Sequence, residues 1–212
     1  MARASDWVDD ILPHCAQAPI PEIEDCVRRA AIQFCRDSHF WRDSLNVTLV
    51  ADQTEYRLRP RSGRVEKILR AQYQDTRYGL QELNHGQWSH VSSPGYDMGS
   101  AIPRFFGMSP NHERVAIAPA PDSTDDPVLK LYVALAPTRA GTEIPDAVFE
   151  EWFEAIIHGA LYYLYRTPNK RWSSQARARE ERFEFNTLIN AASAESRTDG
   201  WAPVVTKMRQ FI

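Results

Sequence analysis

The sequence has little cysteine, almost no lysine and no long apolar run. Cys15, Cys26 and Cys35 form an odd set without a C-x-x-C pair. That pattern fits neither a disulfide framework nor a zinc knuckle, so packed thiols are expected. No stretch approaches the ~18 or more apolar residues of a membrane-spanning helix. Residues 1–10 carry Asp6, Asp9 and Asp10 and lack an apolar run behind a basic start. Neither a secretory signal nor a transit peptide is expected there, and folding in a reducing cytoplasm is. The nine glycines are scattered through turns, with no GxGxxG or GxxxxGK[ST] to cradle a phosphate. A GxSxG nucleophile turn and an HExxH metal motif are missing as well.

What is there begins with 212 residues of balanced composition, enough for one core with appendages. A formal net charge of -3 supplies no overall drive toward nucleic acid or anionic lipid. Lysine occurs only at Lys67, Lys130, Lys170 and Lys207, so arginine makes up the rest of the 25 basic residues. Arginine suits planar, bidentate ion pairs at protein interfaces, and genomic base composition produces the same bias. One basic stretch is concentrated: Arg57, Arg59, Arg61, Arg64, Lys67 and Arg70. Its first three members alternate on one face of an expected strand. Such a row either contacts phosphates, pairs with acidic residues of a neighbour, or is a solvated sheet face.

Candidate chemistry is sparse. Cys26 and Cys35 fall on the apolar stripe of an expected helix, which raises a thiol pKa. Cys15 follows His14 directly, and adjacent side chains diverge, so a loop is expected in place of a Cys/His dyad. Glu154 and His158 stand at i, i+4 without an evident third ligand and read as a hydrogen bond or ion pair on a helix face. His85 and His90 flank Trp88 in a polar loop and read as surface contacts. Asp9/Asp10, Glu150/Glu151 and Asp125/Asp126 are sequence neighbours that diverge, hence solvated charge. No catalytic residue, metal ligand or cofactor is expected from these residues.

Periodicity sets the organisation. A short helix with Ser5 as N-cap and Trp7, Val8, Ile11 and Leu12 as its apolar side is expected to end at Pro13. A longer one starts at Pro21, with Ile23, Cys26, Val27, Ala30, Ala31, Phe34 and Cys35 as a buried stripe and Arg28, Arg29 and Arg36 on the wet face. From about Asp43 to Thr138 the period changes to two, at Leu45, Val47 and Leu49 and at Tyr56 and Leu58. Further strands are expected over 64–74, 104–108, 113–118 and 128–136, in an antiparallel sheet or small sandwich. Residues 78–101 read as a long loop with one helical turn at most. One long helix is expected after Ile144-Pro145-Asp146, with Val148, Phe149, Trp152, Phe153, Ile156, Ile157, Ala160, Tyr163 and Leu164 as a broad apolar face. A last helix, from about Ser173 to Ala194, carries Arg177, Arg179 and Arg182 against Glu180, Glu181 and Glu184 as a surface ladder, around Phe183, Phe185, Leu188 and Ile189.

The expected fold class is therefore α+β. Residues 1–42 and 141–195 form a helical bundle, residues 43–140 are an inserted antiparallel β region, and residues 196–212 are an extended C-terminal arm. The arm carries Trp201, Val204, Val205, Met208, Phe211 and Ile212. A segment this apolar and this short either tucks along its own domain or binds a neighbouring subunit. An α+β domain without an active site and with a sticky tail is the profile of an assembly component.

The order of elements resembles the head-to-tail adaptor proteins of tailed bacteriophages, including the tail tubular protein A type. The resemblance covers most of the chain. It runs from the helix end and aromatic turn Phe34-Cys35-Arg36-Asp37-Ser38-His39-Phe40-Trp41 into a strand starting Leu45-Asn46-Val47-Thr48-Leu49. It continues through the strand at 129–138, the entry Glu143-Ile144-Pro145-Asp146-Ala147-Val148, the helix segment 154–165, and the break Thr167-Pro168-Asn169-Lys170-Arg171-Trp172. What the resemblance implies is a structural virion protein, made in the host cytoplasm and placed at the capsid–tail junction. Such a protein forms a homo-oligomeric ring, usually of twelve subunits, under the portal protein. The ring extends the DNA channel, lets DNA pass without sequence-specific binding, and offers a platform for tail or nozzle proteins, with no membrane involved. The resemblance also implies that the C-terminal segment reaches toward the portal. A tail-completion or tail-terminator protein is the alternative within the same virion setting.

Overall fold

The computed structural model describes residues 1–73, 79–84, 101–122, 128–141 and 143–198, and among them it is a mixed α+β protein with two hydrophobic cores. Helix α1 spans Val8–Ile11, preceded by a 3-10 turn over Ala4–Trp7, and α2 spans Ile20–Ser38. Three more helices follow late in the chain: α3 (Asp146–Glu151), α4 (Phe153–Arg166) and α5 (Gln175–Thr198). Pro21 sits in the first turn of α2, where a missing N–H costs nothing, and Glu22 faces the positive end of the helix dipole. The apolar stripe is buried as expected, from Ile23 through Cys35. At its C-terminus His39 turns into the left-handed region at φ 54° and donates its N–H to the Cys35 carbonyl at 3.1 Å.

The first core joins both ends of the chain. Trp7, Ile11, Phe34, Ile156 and Phe185 are buried in it, together with Ala30, Ala31, Ala160 and Ala192, whose small side chains let α2, α4 and α5 approach closely. Gly159 marks the tightest point. A Cβ added there would lie 2.8 Å from Ala30 Cβ and 2.8 Å from the Phe185 ring. Polar contacts fix the same packing: the Tyr163 hydroxyl donates to Gln33 Oε1 at 2.6 Å, and the buried Ser196 hydroxyl donates to the Ser38 carbonyl at 3.1 Å.

Three expectations for the helices need correction. The first helical turn is capped two residues before Ser5, the Arg3 N–H donating to Asp6 Oδ2 at 2.8 Å. The reason is a short ribbon: β1 (Ala2–Arg3) pairs antiparallel with β9 (Glu143–Ile144), which holds the chain extended up to Arg3. The single helix expected after Pro145 is broken at Trp152, whose φ of -126° and ψ of 28° separate α3 from α4. The break lets neighbouring aromatics face different partners. Phe149 and Phe153 pack on Trp7 with ring centroids 5.0 and 5.4 Å away, while Trp152 packs on Phe34 and Phe40 at 5.7 and 5.9 Å. An unbroken helix would hold 149, 152 and 153 on one face. Finally, Phe183 is 69% exposed on α5, where Ala178, Phe185, Ile189 and Ala192 supply the buried side.

The strand region folds into two sheets over the second core. Strands β2 (Arg42–Thr48), β4 (Arg64–Tyr73) and β8 (Val128–Ala136) make a three-stranded antiparallel sheet in the order β2-β8-β4. Strands β3 (Glu55–Arg57), β5 (Gln81–Glu82), β6 (Phe105–Met108) and β7 (Arg114–Ala118) make the other, in the order β3-β7-β6-β5. Leu45, Val65, Ile68, Leu129, Leu131 and Val133 from the first sheet meet Tyr56, Phe106, Val115 and Ile117 from the second. The expectation of a purely antiparallel region is corrected at one edge, because β5 pairs with β6 in parallel. That edge lies in the stretch expected to be loop, where a two-residue strand is too short to show a period.

Strand β8 carries a continuous buried run from Val133 to Ala136 because it is covered on both faces. Leu131, Val133 and Leu135 point into the second core, while Ala136 joins the helical core and α2 packs on β8. Trp41 bridges the two cores. Its ring lies over Gly63, where φ is 67° and a Cβ would fall 2.7 Å from Trp41 and 2.6 Å from the Ala136 carbonyl oxygen. Only glycine satisfies both the backbone angle and the close approach.

Candidate assembly surfaces

The expected basic row divides between the two sheets. Strand β3 ends at Arg57, so Arg59 and Arg61 lie on the connection to β4, although exposure still alternates through Leu58. Arg57 stands directly across from Arg114, and Arg114 pairs with Glu55 at 3.2 Å. On β4, register shifts after Val65 and after Ile68 insert two bulge residues. They place Arg64, Lys67 and Arg70 opposite Ala136, Ala134 and Tyr132, on one face of the sheet in spite of their spacing of three. Arg64 ion-pairs with Glu66 at 2.5 Å. The six side chains thus form two basic surfaces, and all but the half-buried Arg70 are exposed.

A denser arginine surface lies on the wet face of α2. Arg28, Arg29 and Arg36, joined by Arg139 from the connection after β8, line a groove of about 410 Å³ whose other walls include Ile32 and Tyr163. The spacing of the three helical arginines puts them on one side of α2. Arg139 arrives only through the topology, and sequence reasoning did not single it out. Among the described residues Asp25 is the carboxylate that lines the groove, 2.8 Å from Arg29 and 3.7 Å from Arg28. Arg28 Nε is buried and has no hydrogen-bond partner among the described residues. Arg36 bonds Asp37 at 2.9 Å, which holds its guanidinium still more firmly protonated.

All three thiols are free and buried. Burial pushes Cys26 up to about 12, pushes Cys35 up further, and raises Cys15 against the pull of a hydrogen bond with Tyr165. At neutral pH they are therefore protonated and unreactive. His14 is exposed while Cys15 is buried, so the two side chains diverge. The expected Glu154/His158 pairing is corrected: His158 Nδ1 lies 2.6 Å from Glu181 Oε2, a contact from α4 to α5. Glu181 accordingly belongs to a helix–helix contact in place of the expected ladder, and Arg177 and Arg182 lie over the rings of Tyr165 and Tyr162 at 5.7 and 5.9 Å. Among the described residues no three His, Cys, Asp or Glu side chains converge as a metal site would need, and no helix is long and apolar enough to cross a membrane.

His85, Trp88, His90 and the pair Asp125/Asp126 lie outside the described residues, as do Trp201, Val204, Val205, Met208, Phe211 and Ile212 of the C-terminal segment. Helix α5 reaches Thr198, so the C-terminal segment leaves from a helix end fastened to α2 by the Ser196–Ser38 bond.

No curated protein matches the chain. A family model does: the one described as SU10 adaptor protein matches residues 1–207, which takes in both cores and most of the C-terminal segment. With that match across nearly its whole length, the chain belongs to the SU10 adaptor protein family, a family of phage structural adaptors.

Proposed function

We propose that this protein is the head-to-tail adaptor of a tailed bacteriophage, a virion component that sits beneath the portal and joins capsid to tail. Twelve copies form a ring that extends the DNA channel and presents a platform to tail or nozzle proteins. DNA passes through without sequence-specific binding, in keeping with a net charge of -3 that lets a genome slide without being gripped. Residues 1–42 and 141–195 act together as the helical body, residues 43–140 as the inserted β region, and residues 196–212, of which Ser196 to Thr198 continue α5, as the arm. Arg57, Arg59, Arg61, Arg64, Lys67 and Arg70 serve as contacts to a neighbouring subunit or as a channel face. Trp201, Val204, Val205, Met208, Phe211 and Ile212 dock on the portal.

The observation that carries this reading is the family match over residues 1–207. Two separate cores joined through Trp41 support it, because a ring subunit must offer different patches to its two neighbours. Co-purification with the portal protein of the same phage tests it. The full chain should be retained by immobilised portal, and a chain lacking residues 197–212 should fold yet be retained weakly. Absence of retention for the full chain, or equal retention of the two, would contradict the corresponding part of the proposal.

A further inference from the structure

Two oppositely charged surfaces of this chain suggest how copies meet, an inference that rests on the ring reading above. The arginine groove on α2 brings four guanidinium groups around one carboxylate, Asp25. Among the described residues Asp25 pairs with Arg28 and Arg29 and Asp37 pairs with Arg36, so the four guanidinium groups outnumber their carboxylates and leave a positive excess. The ligand chemistry that suits such a groove is a set of carboxylates, since guanidinium groups bind them in planar, bidentate geometry.

The same chain supplies carboxylates elsewhere. Trp7 packs on Phe149 and Phe153, and the exposed carboxylates next to or within one turn of these rings along the chain are Asp6, Asp9 and Asp10 from the first turns, Glu150 from α3 and Glu154 from α4. The subunit cannot satisfy its groove with them. Glu154 and Tyr163, one at the acidic surface and the other in the groove wall, are about two and a half turns apart along α4, hence on opposite sides of that helix. Two complementary patches on opposite sides of one subunit make a heterologous contact, the kind that closes into a ring.

We infer that the groove formed by Arg28, Arg29, Arg36 and Arg139 receives the Asp6/Asp9/Asp10/Glu150/Glu154 surface of a second copy of this chain. Duplex DNA, whose phosphates would also suit arginine, is the competing occupant. Charge complementarity favours the second copy, because both halves of the contact lie on this chain.

Sedimentation of the full chain across ionic strength provides the test, with two charge-reversed variants, Arg29→Glu/Arg36→Glu and Asp9→Lys/Asp10→Lys. All four positions are exposed, and circular dichroism reports whether each variant folds. The wild-type chain should self-associate at low salt and dissociate as salt rises. Each variant alone should lose at least about tenfold in association constant. Mixed together, the variants should regain association, because one contact joins an intact groove to an intact acidic surface and the other joins the two reversed surfaces, whose charges are swapped but still opposite. Self-association unchanged in either variant, or a mixture that stays monomeric, overturns the inference. So does a wild-type chain that is monomeric at every salt or whose groove is titrated by a short DNA duplex. Portal retention, measured separately, then shows whether the adaptor reading survives.

Discussion

Gly159 is the position where helix packing is most exposed to a single methyl group. In Gly159→Ala two effects oppose each other. Alanine is the better helix former by about 1 kcal/mol, so an isolated α4 would gain stability. In the folded chain, however, the new Cβ would stand 2.8 Å from Ala30 Cβ and 2.8 and 2.9 Å from Cζ and Cε2 of Phe185. Ala30 cannot move without its helix. The Phe185 ring is 1% exposed and enclosed in the core, so it has no free direction to swing. Overpacking of this kind costs about 1–3 kcal/mol. The net expectation is a loss of about 1 kcal/mol, rising to about 2 kcal/mol if α2 and α5 hold their positions. In urea unfolding the midpoint should fall with an unchanged slope, and Tm should drop by about 2–4 °C per kcal/mol for a chain of this size. A gain of about 1 kcal/mol, the propensity effect alone, would mean that α2, α4 and α5 are not in contact at this point.

Two further outcomes follow from buried polar groups. The thiols are raised above their unfolded value of about 9, Cys26 to about 12, so the native chain holds protons that the unfolded chain releases. Their contribution is therefore complete below about pH 9 and is lost as pH rises from there toward about 12; unfolding at pH 7, 9 and 10.5 should show stability flat and then falling, while a Cys26→Ala/Cys35→Ala chain should show a shallower fall. Ser196→Ala removes the donor to the Ser38 carbonyl at the end of α5 and should cost about 1 kcal/mol, read as faster amide exchange in the last turns of that helix.

How much was legible in the sequence depended on the reach of each interaction. The stripe from Ile23 to Cys35 and the limits of β8 at Val128 and Ala136 are written in local periodicity, and the structure follows them. The pairing of Ala2–Arg3 with Glu143–Ile144 is not, because two residues have no period and their partner lies far along the chain. The break at Trp152 escaped for a related reason. Positions 148, 149, 152, 153, 156 and 157 satisfy a helical pattern, and only the three-dimensional positions of Trp7 and Phe34 send the aromatics in different directions. Phe183 fits the same kind of pattern and is exposed. Among the candidate surfaces, the wet face of α2 was visible as Arg28, Arg29 and Arg36, but its completion by Arg139 required the fold. The row from Arg57 to Arg70 was visible as composition, while its division between two sheets came from the strand end at Arg57 and the two bulges of β4.

Ring formation on the portal is the property on which the proposed function depends. Mixing purified chain with purified portal protein and measuring the mass of the complex by light scattering, followed by particle imaging, addresses it most directly. About twelve copies of the chain should bind per portal ring, stacked coaxially with a continuous channel through both. Portal that stays unoccupied while the chain assembles alone or on tail proteins would contradict this and point to tail completion.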